Sequence, residues 1–325
     1  MNHKRPIAVV AILLATAALV GACGGTSGPL GSIPLTTKSP DPSVAQGSPD
    51  DTPTASDGPT SGSFAEPSGS TDPLASPAPS ATTLIRAYLW LGGLPGSEGL
   101  VAVLREVPGT KSVATAAVNA LLAGPTLAET GRAITTAVPV GSRLLGLTIV
   151  GAVATVDLSS EFESGGGSAA VLSRLGQVVY TLTQFPAVKS VVFQIEGVTR
   201  TTFGSEGVVL DKPATRTDYV ALLPDIWVDR PAFNAAIGNP AHVTGNADVF
   251  EATFRVAILD GSGKTIADQQ VMASCGSGCR GTFDVSIPYT VSKAQYGILR
   301  VYNLSAKDGT PESIRDDRVW LTPAG

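Results

Sequence analysis

Side chains suited to catalysis or metal binding are few in this chain. Histidine occurs only at His3 and His242, and cysteine only at Cys23, Cys275 and Cys279. A protein zinc site draws mainly on His and Cys ligands, and a Ser-His-Asp triad needs a histidine base. The chain also has no G-x-S-x-G or S-x-x-K motif. We therefore predict no metal site, no cofactor and no catalytic residues, and interpret His242 as a sheet-edge side chain.

Cys23 closes an N-terminal export signal. Two basic residues precede the apolar run Ile7–Val20, and the small residues Gly21 and Ala22 stand directly before the cysteine. An apolar run of this length is short for a membrane span, which needs about 20 residues. The pattern is typical of a cleaved signal and resembles a bacterial lipobox. The resemblance implies removal of residues 1–22, lipidation of Cys23 and anchoring to the outer face of the cell membrane.

Cys275 and Cys279 flank Gly276–Gly278 at a predicted hairpin tip. Exported proteins meet oxidising conditions, which favours a disulfide between the two cysteines. Closing so short a loop contributes about 2 kcal/mol at most in the chain-entropy account. The alternative, a redox or metal pair, lacks two further ligands.

Three acidic side chains lie close together in the sequence, at Asp157, Glu161 and Glu163. Such a cluster could supply glycosidase carboxylates or a cation site. It follows a predicted strand and precedes a Gly-rich loop and a helix. Acidic side chains are favoured near a helix N-terminus by the helix dipole, so we interpret the cluster as solvated loop acids.

Two glycine-rich segments match nucleotide-binding patterns only superficially. Gly276–Gly281 fits G-x-G-x-x-G but leads into a predicted strand, whereas a dinucleotide fold requires a helix there. Gly261–Thr265 ends like a phosphate-binding loop, but Ile258 stands where its first glycine is required. Both segments are predicted to be hairpin turns.

Residues 23–83 differ in composition from the rest of the chain. They hold about eleven of the 24 prolines, with much Ser, Thr, Gly and Asp and no hydrophobic period. Such a segment cannot bury enough surface to offset its ordering entropy, so we predict a disordered tether. The formal charge is −5 overall, +2 in the leader and −5 in the tether, which leaves −2 for residues 84–325. This near-neutral part argues against nucleic acid as a partner.

Residues 84–212 alternate strand and helix patterns in the order ββα-ββα-ββ. Two one-faced helices and one sheet predict a two-layer α+β domain. Ser168 is predicted to cap the second helix, and Leu172 to lie on its buried face. The predicted strands are Leu84–Leu91, Leu100–Glu106, Arg143–Val150, Ala152–Leu158, Ser190–Glu196 and Thr201–Phe203, and the helices start at about Ser112 and at Ser168, the second reaching about Gln184.

Residues 224–325, after a connector over 213–223, change to a period of two. Phe254, Val256 and Ile258 alternate with other residues, and turn signals recur at short intervals. About seven short strands predict an all-β, immunoglobulin-like sandwich.

Several motifs, in order, resemble the GerMN domain of sporulation and spore-germination proteins. They are Glu106–Gly109, Ala120–Thr126, Val153–Phe162 and Gln177–Phe185. The stretch Gly245–Phe254 looks like the signature of the Gmad2 immunoglobulin-like domain. The two resemblances imply a fold made of a GerMN-like domain followed by a Gmad2-like sandwich.

We expect a non-enzymatic interaction or scaffold module that docks envelope proteins; the GerMN resemblance implies sporulation, germination or cell-wall processes. The alternative is a cell-wall glycan-binding module, for which Trp90, Trp227 and Trp320 are the candidate aromatic platforms. All three lie in strand-like runs, which favours core packing. A hydrolase is the third hypothesis. The expected partners are the membrane, through Cys23, and an envelope protein or wall glycan.

Overall fold

The computed structural model describes residues 82–204 and 207–324. These residues belong to one compact unit, Asp72–Gly325. The signal peptide, the lipidation of Cys23 and nearly all of the tether predicted over 23–83 lie outside the described residues. The first described strand begins at Thr82 rather than Leu84, so the last two residues assigned to the tether are part of the folded domain.

The N-terminal domain contains the predicted strands and helices in the predicted order, together with a short helix and three short strands that were not predicted. Both faces of its first strand are covered, and residues 85–89 are all buried. Gly124, at a φ of +72°, turns the chain after the first helix, a conformation that glycine adopts without steric cost. The elements are β1 (Thr82–Leu91), β2 (Gly99–Pro108), α1 (Val113–Leu122), α2 (Leu127–Thr130), β3 (Ile134–Thr135), β4 (Leu144–Val150), β5 (Val153–Leu158), α3 (Ser168–Leu182), β6 (Ser190–Ile195), β7 (Val198–Thr199), β8 (Thr202–Phe203) and β9 (Val208–Val209).

The strands form two main sheets where the sequence predicted one. The first has the order β2-β1-β3 and the second β4-β5-β6-β7, with β8 and β9 as a separate pair. The β4–β5 hairpin lies across Gly151 as predicted. β5 and β6 are parallel because α3 carries the chain back between them.

Helix α3 packs closely along β1 of the first sheet, partly through polar side chains, and also contacts β6 of the second sheet. It begins at Ser168 with Gly167 at the N-cap, so the prediction of Ser168 as the capping residue was wrong. Leu172 is 39% exposed, although the helical pattern placed it on the buried face. Gln177 is buried, and its Nε2 donates to the Tyr88 carbonyl oxygen at 3.1 Å. The helix ends at Leu182, before the predicted end.

The C-terminal domain is a sandwich of two sheets, as predicted. Their orders are β10-β12-β15 and β11-β17-β16-β13-β14. A 3₁₀-helix, Arg216–Leu222, occupies most of the predicted connector. The strands are β10 (Ile226–Arg230), β11 (Ala236–Ile237), β12 (Ala241–Ala247), β13 (Thr253–Leu259), β14 (Thr265–Met272), β15 (Gly281–Ile287), β16 (Gln295–Leu304) and β17 (Pro311–Leu321).

The two domains share a core and a backbone connection. Trp227, Ala232 and Phe233, from the sandwich, pack in the hydrophobic core of the N-terminal domain. The Phe233 N–H donates to the Ala102 carbonyl at 2.8 Å, and its carbonyl accepts from the Leu104 N–H at 3.0 Å. Residues beside the first strand of the sandwich thus cover part of the outer edge of β2.

Candidate interaction surfaces

A cluster of charged and aromatic side chains, which we call the junction, joins the two domains. Asp229, on β10, accepts from Arg86 Nη1 at 3.0 Å and from the Tyr88 hydroxyl at 2.7 Å. Both donors lie on β1 of the N-terminal domain. Charge-assisted hydrogen bonds are stronger than neutral ones, and these are partly screened from water. The junction consists of Arg86, Tyr88, Tyr180, Arg216, Trp227 and Asp229.

Trp227 is the hydrophobic centre of the junction. Its side chain is 3% exposed, and its indole N–H donates to the Leu100 carbonyl at 3.0 Å. Tyr180 meets the indole edge to face, with ring centroids 5.5 Å apart. The Arg216 guanidinium lies 4.6 Å from the Tyr180 centroid and 5.9 Å from that of Trp227. A desolvated cation over aromatic rings is attracted by their quadrupoles.

Burial keeps the tyrosines of the junction neutral. Desolvation, with a smaller contribution from the Asp229 charge, raises the pKa of Tyr88 far above its usual value. Desolvation also raises the pKa of Tyr180 to about 12. A neutral hydroxyl can donate, as the Tyr88 hydroxyl does to Asp229.

A buried ion pair in β17 provides a second contact between the domains. Arg315 and Asp317 are each 2% exposed, and Arg315 Nε lies 3.3 Å from Asp317 Oδ1. Arg315 Nη1 also donates to the Leu100 carbonyl, at 3.2 Å, in the N-terminal domain. Desolvation raises the pKa of the Asp317 carboxyl. Leu100 therefore accepts hydrogen bonds from two side chains of the sandwich.

An open cleft of about 450 Å³ lies on the outer face of the β10-β12-β15 sheet of the sandwich, beside the junction. Gly245 forms part of the floor of the cleft. Its backbone lies so close to the Trp227 carbonyl oxygen that a Cβ at this position would collide with it. At the adjoining part of this face His242 Nε2 lies 2.5 Å from Asp284 Oδ1, and both side chains are exposed. The lining of the cleft is therefore mainly polar. Its lining includes Trp227, Asp229, Thr244, Asn246, Thr282 and Asp284.

The segment 248–252, which we call the Phe250 turn, presents an aromatic ring to solvent. Phe250 is 61% exposed, and the next two residues, Glu251 and Ala252, adopt positive φ values of +54° and +57°. Non-glycine residues in this region store strain and are often found at functional sites. Phe250 and Leu304 line a depression of about 310 Å³. Thr253 also lines this depression. Opposite it on the neighbouring strand is Met272, whose side chain is exposed.

The disulfide loop braces the Phe250 turn. Cys275 and Cys279 are joined in the structure as the sequence predicted. Between them, Ser277 donates its backbone N–H to the Val249 carbonyl at 3.0 Å. The Ser277 hydroxyl accepts from the Glu251 N–H, also at 3.0 Å. The exposed ring is thus mounted on a cross-linked support.

The outer face of the five-stranded sheet is open and carries paired charges. Arg255 Nε lies 2.9 Å from Asp268 Oδ1. Asp268 Oδ2 accepts from the Tyr302 hydroxyl at 3.0 Å. Arg300 and Asp316 form a two-pronged pair with both distances 2.7 Å. Each of these side chains is partly exposed. The face is consequently polar but locally neutral.

An aromatic pair lies at one end of the same face. Tyr296 is 48% exposed and meets the half-buried Trp320 edge to face, with centroids 4.7 Å apart. The Arg318 guanidinium lies 4.3 Å from the Tyr296 centroid, held by a 2.7 Å bond to Asn234. The pair combines an exposed aromatic surface with a fixed hydrogen-bond donor.

The structure separates the three clustered acids among different partners. Asp157 accepts from the Gly197 N–H at 2.9 Å. Glu161 lies 3.6 Å from Arg143, and Glu163 lies 3.4 Å from Arg200. Across residues 82–204 and 207–324 no group of three His, Cys, Asp or Glu side chains is placed to hold a metal ion.

The predicted tryptophans and glycine-rich turns have distinct places. Trp227 is buried, whereas Trp90 and Trp320 are half-buried. Gly261–Thr265 connects β13 to β14, and Gly276–Gly281 leads into β15, so neither segment precedes a helix. His242 lies on β12, in the middle of its sheet rather than at an edge. No helix in the described part of the chain combines the length and hydrophobicity needed to cross a bilayer.

Sequence reasoning missed the junction. Arg86, Tyr88, Arg216 and Asp229 belong to no motif and come from separate parts of the sequence, around residues 86–88 and 216–229. A signal was present in Ile226–Val228, where three consecutive apolar residues indicate a strand covered on both faces.

Comparison with known proteins identifies both domains. Residues 94–201 match the family Germane, described as sporulation and spore germination. Residues 225–310 match Gmad2, described as an immunoglobulin-like domain of bacterial spore germination. No curated protein gave a significant match.

Solved structures give further likenesses. The first GerMN domain of the sporulation protein GerM from Bacillus subtilis is 22% identical, with 42% of this chain and 99% of that chain covered, at a TM-score of 0.36. The tandem GerMN domains of the same protein are 15% identical, with 64% of this chain and 62% of that chain covered, also at a TM-score of 0.36. A protein from Clostridium perfringens, described provisionally as a lipoprotein, is 18% identical, covering 43% and 92%, at 0.31.

Because every TM-score lies below 0.5, the assignment rests on the family matches. They fall inside the boundaries at which the sequence motifs and the folded domains were found. The chain therefore carries a Germane domain of the GerMN type, from the sporulation and spore germination family, followed by a Gmad2 immunoglobulin-like domain.

Proposed function

We propose that this chain is a non-catalytic, membrane-anchored envelope lipoprotein that acts as a protein-interaction scaffold in sporulation, germination or cell-wall processes. Both of its domain families are described by spore germination. The junction unites the two domains, so that a partner bound to either one is held in a fixed relation to the other. This role needs binding surfaces rather than catalytic groups.

The Phe250 turn is the observation that carries the proposal. A large aromatic side chain seated in a partner's pocket is a common anchor of protein interfaces. Preorganisation reduces the entropy lost on binding, and the disulfide loop supplies that preorganisation. Exposed Met272 and Leu304 extend the apolar surface around Phe250. We therefore assign the partner to a protein with an apolar pocket.

The test is photocrosslinking from the Phe250 turn in intact cells. A photoreactive residue at Phe250 should give a discrete crosslinked protein, and the same residue at the exposed position Lys293, before the other end of β16, should not. Adding Met272→Ser should weaken the crosslink at Phe250. Identical crosslinks from both positions, or none from Phe250, would contradict the docking role.

The lipid anchor is proposed from the lipobox pattern at Cys23. We expect Cys23→Ala to abolish acylation and release the chain from the membrane fraction. Metabolic labelling with an alkynyl fatty acid, followed by fractionation, measures both effects. An unlabelled wild-type chain that stays in the membrane at its unprocessed mass would show an uncleaved signal anchor instead.

The aromatic pair favours glycan binding as a second candidate function. Sugar rings stack on exposed aromatic faces, and Arg318 offers donors beside Tyr296. The chain should then pellet saturably with isolated wall sacculi, and Tyr296→Ala should abolish the pelleting. Phe250→Ala serves as the matched control on the other surface. Absence of pelleting for the wild-type chain would eliminate this candidate.

A further inference from the structure

Strand β4 is an apolar strand at the edge of its sheet. Its seven residues, Leu144–Val150, read LLGLTIV and contain no charge and no proline. Ile149 is 42% exposed and Val150 77%. Edge strands of soluble proteins are normally protected by charges, prolines, bulges or a covering segment. A bulge interrupts β4 only at its start, between Leu144 and Gly146.

The outer backbone groups of β4 have no partner in the described part of the chain. There, β5 is its only ladder neighbour, and no other backbone hydrogen bond reaches residues 144–150. The other edges of the N-terminal domain differ. β7 is only two residues long, and Phe233 covers part of β2.

Helix α1 contacts β4 and extends its apolar surface. None of the ten residues of α1 is charged, and five of them are half-buried. Four of the ten α1 residues are buried in the core, so only the remaining part of α1 can add to the surface of β4. A continuous uncharged surface of this kind marks an interaction site.

We propose that β4 pairs antiparallel with β4 of a second copy of this chain, which joins two four-stranded sheets into one across a two-fold axis. A two-fold interface must be complementary to itself. With the axis at Thr148, Leu147 lies opposite Ile149 of the second copy, and Gly146 lies opposite Val150. This register uses the regular part of β4 beyond its bulge.

Charge and composition favour a second copy over a different strand. An apolar, uncharged edge offers nothing to orient a charged partner, and like charges placed opposite each other destabilise a pair. In the proposed register, Leu145 lies opposite Gly151 and Arg143 lies beyond the paired residues, so no charges of the same sign meet. Thr148 meets its own copy, and cross-strand Thr–Thr pairs are favourable.

The test uses cysteines at Thr148 and, as a control, at Val198 on the opposite edge of the same sheet. Directly opposed Cβ atoms lie about 5 Å apart, so a small adjustment permits a disulfide. In the full-length chain, in native membranes under mild oxidation, Thr148→Cys should give mainly a covalent dimer. Val198→Cys, which is also exposed, should stay monomeric.

A second variant separates pairing from chance collision. Val150→Lys places a charge on the exposed edge and should abolish the Thr148→Cys dimer, while Val198→Lys should leave it intact. The wild-type chain, purified in detergent, should have twice the monomer protein mass by light scattering. A monomeric wild type, equal dimer from both cysteines, or crosslinking of Thr148→Cys to another protein would overturn the proposal.

Discussion

The two outer faces of the sandwich use the same side-chain chemistry in opposite settings. On the β10-β12-β15 sheet, Asp229 binds Arg86 and Tyr88 beneath the N-terminal domain. On the five-stranded sheet, Asp268 binds Arg255 and Tyr302 in the open. Each cluster combines arginine, aspartate and tyrosine, with a tryptophan on the same face, but only the first lies beneath another domain.

Burial, rather than residue type, decides what such a cluster of side chains does. Under the N-terminal domain, removing one partner leaves a charge or hydroxyl away from water, so the cluster holds the domains together. On the open face, water can replace any partner, so the same pairs contribute little to stability and stay available for binding.

Truncation of the tryptophan on each face should give the largest contrast. Trp227→Ala should lower the free energy of unfolding by about 3–5 kcal/mol, because it leaves a cavity and removes one of the two side-chain donors to the Leu100 carbonyl. Trp320→Ala should cost clearly less, because that ring is half-buried. Urea unfolding measures both values. Equal losses would show that the junction is no more structural than the open face.

Removal of the aspartate on each face should give the next largest effect. Asp229→Ala should cost about 3 kcal/mol, because Arg86 and Tyr88 lose their shared acceptor. Asp316→Ala should cost no more than about 1 kcal/mol, because its bond to Arg300 is exposed to solvent. The same unfolding measurement applies, and a loss at Asp316 as large as that at Asp229 would refute the comparison.

The disulfide should have an intermediate and local effect. Replacing both Cys275 and Cys279 with Ser should lower the free energy of unfolding by about 2 kcal/mol. Hydrogen exchange should speed up at the Glu251 and Ser277 amides, which the loop holds. Amides of the junction serve as the internal control and should be unaffected. Unchanged exchange at Glu251 would mean that the Phe250 turn does not depend on the disulfide.

Alkaline pH should weaken the covered cluster selectively. The folded pKa of Tyr180 is raised from 10.0 to about 12, so its contribution is complete below pH 10 and is lost as the pH rises toward 12. Within that window the free energy of unfolding should fall by about 1.4 kcal/mol per pH unit for one such tyrosine. Tyr180→Phe should flatten this slope, measured by urea unfolding at each pH. An unchanged slope would show that burial of Tyr180 does not couple to stability.

Local patterns were sufficient to predict most of the fold. Period-two alternation identified the sandwich strands, and the predicted start of the first helix at about Ser112 coincides with its observed N-cap. The division of the N-terminal strands into two sheets was not predictable locally. This division depends on the pairing of β1 with β3, in which Leu91 lies opposite Ile134, a residue far away in the sequence.

The junction was harder to predict because its members meet only in the folded chain. Arg315 and Asp317 illustrate the difficulty, since charged residues in a strand usually mark its solvent face. Here they point inward, because each neutralises the other and Leu100 accepts a further bond. The disulfide was predictable, since its two cysteines flank one short turn.

The most direct test of the account is whether the two domains tumble as one body. Residual dipolar couplings of backbone amides can be measured for the chain expressed without residues 1–22 and with Cys23→Ser. One alignment tensor is expected for the Germane and Gmad2 domains in the wild type, because they share a core and a backbone connection. Two different tensors in the wild type would contradict the account.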